Sequence, residues 1–157
     1  MNQSSCFQNN LVDLSNAPWT MHEFFAGSGL VAYGLKGMFK PIWANDISEQ
    51  KAAVYKENFG DGYFKLDDIK NINGKNLPFA NLSWASFPCQ DLSLAGSLGG
   101  IHASRSGLVW EWLRVLDEMP NKPKILLLEN VLGLLSTNGG DNYRAVSYTH
   151  LTLPTTP

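Results

Sequence analysis

Five short apolar segments in this chain each run straight into a polar or glycine-rich stretch, with residues of helical spacing in between. The segments are Trp19 to Phe25, Pro41 to Ala44, Tyr63 to Leu66, Ala80 to Phe87 and Lys124 to Leu128. They lead into Ala26-Gly27-Ser28-Gly29, Asn45-Asp46, Asp67-Asp68-Ile69, Pro88-Cys89-Gln90 and Glu129-Asn130-Val131. Leu30 to Phe39 reads as a helix despite Gly34 and Gly37. Ser48 is placed to cap a second helix through Phe59, in which Ala52, Tyr55 and Phe59 share a face. In a third, Ser106 to Glu118, residues Leu108, Val109, Trp112, Leu113 and Leu116 form one apolar stripe that Pro120 and Pro123 bring to an end. Lys124 to Leu128 is nearly all aliphatic, the pattern of a strand buried on both faces. Strand and helix alternating in this way predict an α/β fold, a doubly wound and mostly parallel sheet. Such sheets bind ligands outside the carboxyl ends of their strands, where all five polar stretches fall.

A chain of 157 residues with 44% hydrophobic content suits one folded domain and hardly two. We assign it to residues 19–146, after a polar lead-in over 1–18 that does not have the basic-then-apolar form of an export signal. No apolar run approaches the roughly 18 residues of a membrane span. Cys6 and Cys89 are too few and too far apart for a disulfide framework, so a reducing compartment suits them. The net charge of −2 argues against a general basic coat for nucleic acid, while leaving room for a local channel. Residues 147–157, Ser-Tyr-Thr-His-Leu-Thr-Leu-Pro-Thr-Thr-Pro, break the pattern. They resemble translated adapter read-through, with a flexible native terminus as the plainer reading, and no function is placed there.

A glycine pair after a first strand lets backbone approach a ligand closely, although turns collect glycine for conformational reasons alone. Here Gly27-Ser28-Gly29 is followed by Asp46, 19 residues beyond Gly27 and at the end of the second strand. A carboxylate there can accept from two ribose hydroxyls. Asp68, ending the third strand, can accept from an adenine amino group, and Phe25 can offer the ring an apolar face. Singly, Asp46 is as well explained as a turn or capping acid and Asp68 as a solvated turn residue. Together with the strand order they indicate a nucleoside-type ligand. The full dinucleotide fingerprint is missing, since Leu30 ends the glycine run.

The reacting groups are sought in Phe87-Pro88-Cys89-Gln90 and Glu129-Asn130-Val131. A cysteine where a strand gives way to a long loop is held by the scaffold yet can reach a substrate, and its thiolate is a strong nucleophile. The plainer reading is a small buried hydrophobe. Glu129 follows four aliphatic residues; burial there would raise its pKa and let it donate a proton at neutral pH. A solvent-exposed glutamate at a strand end is the ordinary alternative. The fourth and fifth strands lie side by side in this topology, so Cys89 and Glu129 are expected to face one cleft. Asn130 can fix backbone around the acid, Gln90 offers a donor and an acceptor, and Arg105 can contact a phosphate or a base carbonyl. A thiol hydrolase would ask for a histidine base, and His22, His102 and His150 supply no evident one. The same histidines show no metal-ligand spacing, so no metal site is expected.

These segments resemble, in order and spacing, the amino-terminal half of the catalytic domain of DNA cytosine-C5 methyltransferases. The matching runs are Glu23-Phe24-Phe25-Ala26-Gly27-Ser28-Gly29, Asn45-Asp46, Asp67-Asp68-Ile69, Phe87-Pro88-Cys89-Gln90, Ser104-Arg105 and Glu129-Asn130-Val131. The resemblance implies an incomplete sheet of the S-adenosylmethionine-dependent methyltransferase type, that donor as cofactor, and duplex DNA with a flipped cytosine as partner. It implies Cys89 and Glu129 as catalytic residues, with Pro88, Gln90, Arg105 and Asn130 near the substrate. Cofactor contacts would fall to Phe25, Gly27, Ser28, Gly29, Asp46, Ile47 and Asp68. Ile47 stands where the family commonly has an aromatic, and Asp46 where it often has glutamate. The implied setting is cytoplasmic, prokaryotic or phage-like, with restriction-modification in view and a monomeric parent. The second half of such an enzyme is not present, so the chain is expected to be poorly active alone and unable to select a DNA site. An RNA cytosine-C5 enzyme of the same architecture and a non-catalytic nucleoside-binding module are the rival readings.

Overall fold

The computed structural model describes residues 11–88 and 107–132, with 136 and 144. Five strands form one parallel sheet: β1 (Trp19–Phe24), β2 (Phe39–Asp46), β3 (Phe64–Leu66), β4 (Leu82–Ala85) and β5 (Ile125–Leu128). Their spatial order is β3-β2-β1-β4-β5, with the direction of winding reversing at β1. Helices α1 (Leu30–Leu35) and α2 (Glu49–Phe59) contribute to an apolar cluster with Met21, Ala44, Phe64 and Leu82. Helix α3 (Leu108–Glu118) packs with Phe24, Ala85 and Phe87 in the other cluster. Alternate residues of β1 feed the two, since successive strand side chains point to opposite faces. The doubly wound parallel sheet is therefore present.

Helix α1 stops at Leu35, four residues before the expected end. Phe39 and Lys40 instead extend β2 ahead of Pro41, pairing with Trp19 and Thr20 of β1. A helix holding Gly34 and Gly37 has little intrinsic preference to set against that ladder. The register shifts between Met21 and His22, where β2 skips Ile42 just after Pro41, a residue with no N–H to donate. Helix α2 follows the sequence reading: Ser48 Oγ accepts from Lys51 N at 3.4 Å, and Ala52, Tyr55 and Phe59 are buried.

Between β3 and β4 lie two short 3₁₀ turns, Ile69–Asn71 and Gly74–Asn76, which α3 holds in place. The Arg114 guanidinium donates to the carbonyls of Ile69 and Ile72, both at 3.1 Å, while Gly74 N donates to Glu118 at 2.8 Å. A side chain at Gly74 would run into the Val115 carbonyl, so glycine permits this approach. Trp112 is buried with its indole N–H on Ser83 Oγ at 3.0 Å, and Trp84 donates to Ser86 at 2.7 Å. Trp112 serves packing.

The aliphatic strand β5 departs from expectation. Ile125, Leu126 and Leu127 are 46%, 40% and 44% exposed instead of buried on both faces. Among the described residues β5 pairs with β4 on one side only, and of its four side chains Leu128 alone packs against an apolar cluster. Among the described residues no helix is long and apolar enough to cross a membrane.

Candidate active site

The carboxyl end of β1 is latched to its neighbours by two consecutive residues of β2. Asn45 Nδ2 donates to the carbonyls of Lys65 and Asp67, at 3.0 and 2.9 Å, while its own carbonyl accepts from Ala26 N at 2.8 Å. Asp46 uses both carboxylate oxygens: Oδ2 accepts from Gly27 N at 2.8 Å and Oδ1 from Ser48 N at 2.9 Å. The acid thus joins the glycine turn to the start of α2, and each oxygen keeps a lone pair for another donor.

Three residues of the turn have positive φ: Phe25 at 56°, Gly27 at 58° and Gly29 at 89°. The two glycines answer different needs. A Cβ on Gly27 would meet nothing within 4 Å, so its requirement is conformational and its backbone stays open to a ligand. A Cβ on Gly29 would drive into the rings of Phe59 and Tyr55, so that position serves close packing of the turn on α2.

Two adjoining cavities lie at this end of the sheet. The first, of about 460 Å³, is lined by Phe25, Asp46, Ile47, Asp68 and Pro88, and also by Ser48, Lys51, Asp67, Ile69, Lys70, Ser86 and Leu108. It brings together five of the residues singled out from the sequence. Ile47 is largely exposed and gives an apolar wall. Asp68 Oδ1 accepts from Lys70 N at 3.0 Å, capping the first 3₁₀ turn. Its neighbour Asp67 is held below the usual carboxylate range by hydrogen bonds, first from the Asn71 side chain.

The second cavity, of about 400 Å³, is lined by Gly27, Ser28, Trp84, Glu129 and the apolar start of α1, with Phe25, Lys51 and Ser86 shared with the first. Glu129 and Pro88 follow adjacent strands whose ends are tied together. Glu129 N donates to Ala85 O at 2.9 Å, and Asn130 Nδ2 donates to Phe87 O at 3.2 Å. Asn130 therefore fixes the backbone two residues before position 89. Glu129 is exposed, not buried as the preceding aliphatic run suggested, because it leaves the uncovered strand β5. Cys89, Gln90 and Arg105 lie outside the described residues.

The buried acid of this region is Glu23, which the sequence reading quoted but gave no role. It is fully buried, and burial pushes its carboxyl up to about 7, against the opposing pull of its bonds from Tyr55 and Ala32. Tyr55 Oη donates to one oxygen at 3.0 Å and Ala32 N to the other at 3.3 Å. Glu23 thereby joins β1, α1 and α2 behind the turn. The signal available beforehand was an acid in the middle of an otherwise sheet-forming run. On the opposite face His22 is buried too, its pKa lowered by burial, with Nε2 donating to Pro78 O at 2.7 Å. That environment keeps the ring neutral and away from both cavities.

Residues 19–151 match the family model for C-5 cytosine-specific DNA methylases. The chain belongs to that family. It is 33% identical over 125 residues to the type II methyltransferase M.Bsp6I of Bacillus sp. (strain RFL6), covering 78% of this chain and 39% of that protein. With M2.BsuMI of Bacillus subtilis (strain 168), also a type II methyltransferase, identity is 39% over 128 residues, covering 79% and 31%. The crystal structure of the Dnmt2 methyltransferase of S. pombe superposes with a TM-score of 0.63 at 25% identity, over 83% of this chain and 39% of that one. The fold is thus that of this methyltransferase class, and the chain spans less than half the length of the relatives it matches.

Proposed function

We propose that the full-length protein containing this chain transfers a methyl group from S-adenosylmethionine to C5 of cytosine in duplex DNA, through a covalent adduct with Cys89. The observation that carries this reading is the tie between the ends of β4 and β5, where Asn130 holds the Phe87 carbonyl and Glu129 opens onto the second cavity. With that tie, Pro88 and Glu129 follow neighbouring parallel strands at the same end of the sheet.

The residues present fit the donor. Asp46 has lone pairs left for ribose hydroxyls, Asp68 and the Phe25 and Ile47 walls suit an adenine, and the open backbone of Gly27 and Ser28 suits the amino-acid end. When bound, the donor supplies an electrophilic methyl on sulfur. Cytosine C5 is a poor nucleophile until C6 is attacked. The Cys89 thiolate adds to C6, Glu129 engages N3 as charge develops there, and the C5–C6 bond becomes electron-rich enough to take the methyl. Loss of the C5 proton then expels Cys89 and restores the ring. Pro88 shapes the backbone before the nucleophile, with Gln90 and Arg105 holding the flipped base and its flanking phosphates.

Membership of a DNA methylase family favours DNA over RNA as substrate, and the bacterial type II methyltransferases among its relatives favour a cytoplasmic bacterial or phage setting. The short coverage of those relatives supports the reading that this chain alone is poorly active. Trapping the full-length protein on mixed-sequence DNA carrying 5-fluorocytosine, with donor present, tests the chemistry. The wild type is expected to form a denaturation-resistant adduct and Cys89→Ala none. An adduct with Cys89→Ala would remove the nucleophile assignment, and methylation of transfer RNA in preference to duplex DNA would move the substrate to RNA.

A further inference from the structure

The two cavities meet at Lys51, a residue with no signal in the sequence reading. This exposed residue lines both, and among the described residues it is the only cation lining the second. Lys65, Arg114 and Lys122 are ion-paired, whereas Lys51 has no ion pair among the described residues. Its backbone is fixed by the Ser48 cap at the first turn of α2, so the stem starts from a set position.

Among the described residues, the second cavity otherwise presents the exposed carboxylate of Glu129, while Glu23 in its lining is buried with its carboxyl pushed up to about 7. Glu129 suits a sulfonium or an α-ammonium but repels an α-carboxylate, and a zwitterionic ligand end needs both signs met. We infer that Lys51 binds the α-carboxylate of the methyl donor, setting how far the donor reaches from the nucleoside cavity toward Glu129. The inference rests on the donor reading above and deepens it to one residue of the site.

Two ligands separate the role of the lysine from general damage to the pocket. S-adenosylhomocysteine carries the α-carboxylate; methylthioadenosine keeps the nucleoside thioether and lacks the amino-acid end. Calorimetry on the full-length protein should show Lys51→Met weakening S-adenosylhomocysteine about tenfold. Methylthioadenosine should weaken by less than about twofold, since the bond lost is one it never makes. Lys51→Arg should retain most of the affinity for the first ligand. Unchanged binding of S-adenosylhomocysteine by Lys51→Met, or equal weakening of both ligands, would overturn the assignment while leaving the donor reading intact. A wild type that binds neither ligand would overturn the donor reading, and the inference with it.

Discussion

Strands β1 and β5 have exchanged the burial that their compositions suggest. β1 carries a histidine and a glutamate, and both are fully buried. β5 is Ile-Leu-Leu-Leu, and its first three residues are 40–46% exposed. The difference is position: β1 sits at the centre of the sheet between β2 and β4, with helices on both faces, while β5 has one neighbour among the described residues. A central strand must satisfy its polar groups from adjoining elements, as Glu23 does through Tyr55 and Ala32. An apolar strand at an edge waits for a covering element, whatever its own sequence.

The contrast breaks most easily at the turn after β1. Gly29→Ala combines an unfavourable φ with a collision against Phe59 and Tyr55, and is expected to destabilise the chain by about 3–4 kcal/mol in chemical denaturation. Gly27→Ala faces only the conformational penalty and should cost about 1 kcal/mol. Equal losses at the two glycines would mean that the turn is not packed on α2 as described.

A smaller effect tests the buried acid. The carboxyl of Glu23 is raised to about 7, so the folded state holds its proton more tightly than the unfolded chain does. Stability from this group is therefore present below the unfolded value, near 4.5, and falls as pH rises toward 7, then levels off. His22, with a lowered pKa, acts in the opposite sense by losing stability as pH falls, so the measurement is a difference. Glu23→Gln should gain on the wild type by on the order of 2 kcal/mol between pH 5 and pH 8. A constant gap between the two proteins would show that the acid is solvated.

The smallest effect belongs to β5. Leu126→Ala removes a side chain that is already partly in water and should cost about 1 kcal/mol or less in this chain. A loss as large as that of a core leucine would mean that the strand is covered. In the full-length protein the same substitution sharpens the comparison, because a covered β5 there would raise its cost.

The strand order, the glycine turn and the polar segments at the strand ends were legible because each depends on local pattern. Alternation of strand and helix leaves few topologies open. Asn45 was legible only as a neighbour of Asp46; its amide reaches two carbonyls some 20 residues away, a contact with no local trace. The end of α1 was missed because Phe39 and Lys40 suit either a helix end or a strand until β1 is set beside them. Burial of Glu23 was missed, and Glu129 was left open between burial and exposure, for one reason. Charge and neighbours in sequence say little about which strand ends in the middle of a sheet. Lys51 carried no signal, since its interest lies in where two cavities join.

Asp46 has a consequence for how a ligand meets this molecule. Because its two oxygens already brace the turn against α2, a nucleoside hydroxyl arriving there finds an acid whose orientation is set by protein alone. Recognition at that corner is then a matter of selection by a rigid template, and swapping the acid for a longer one would move the brace before it touched the ligand.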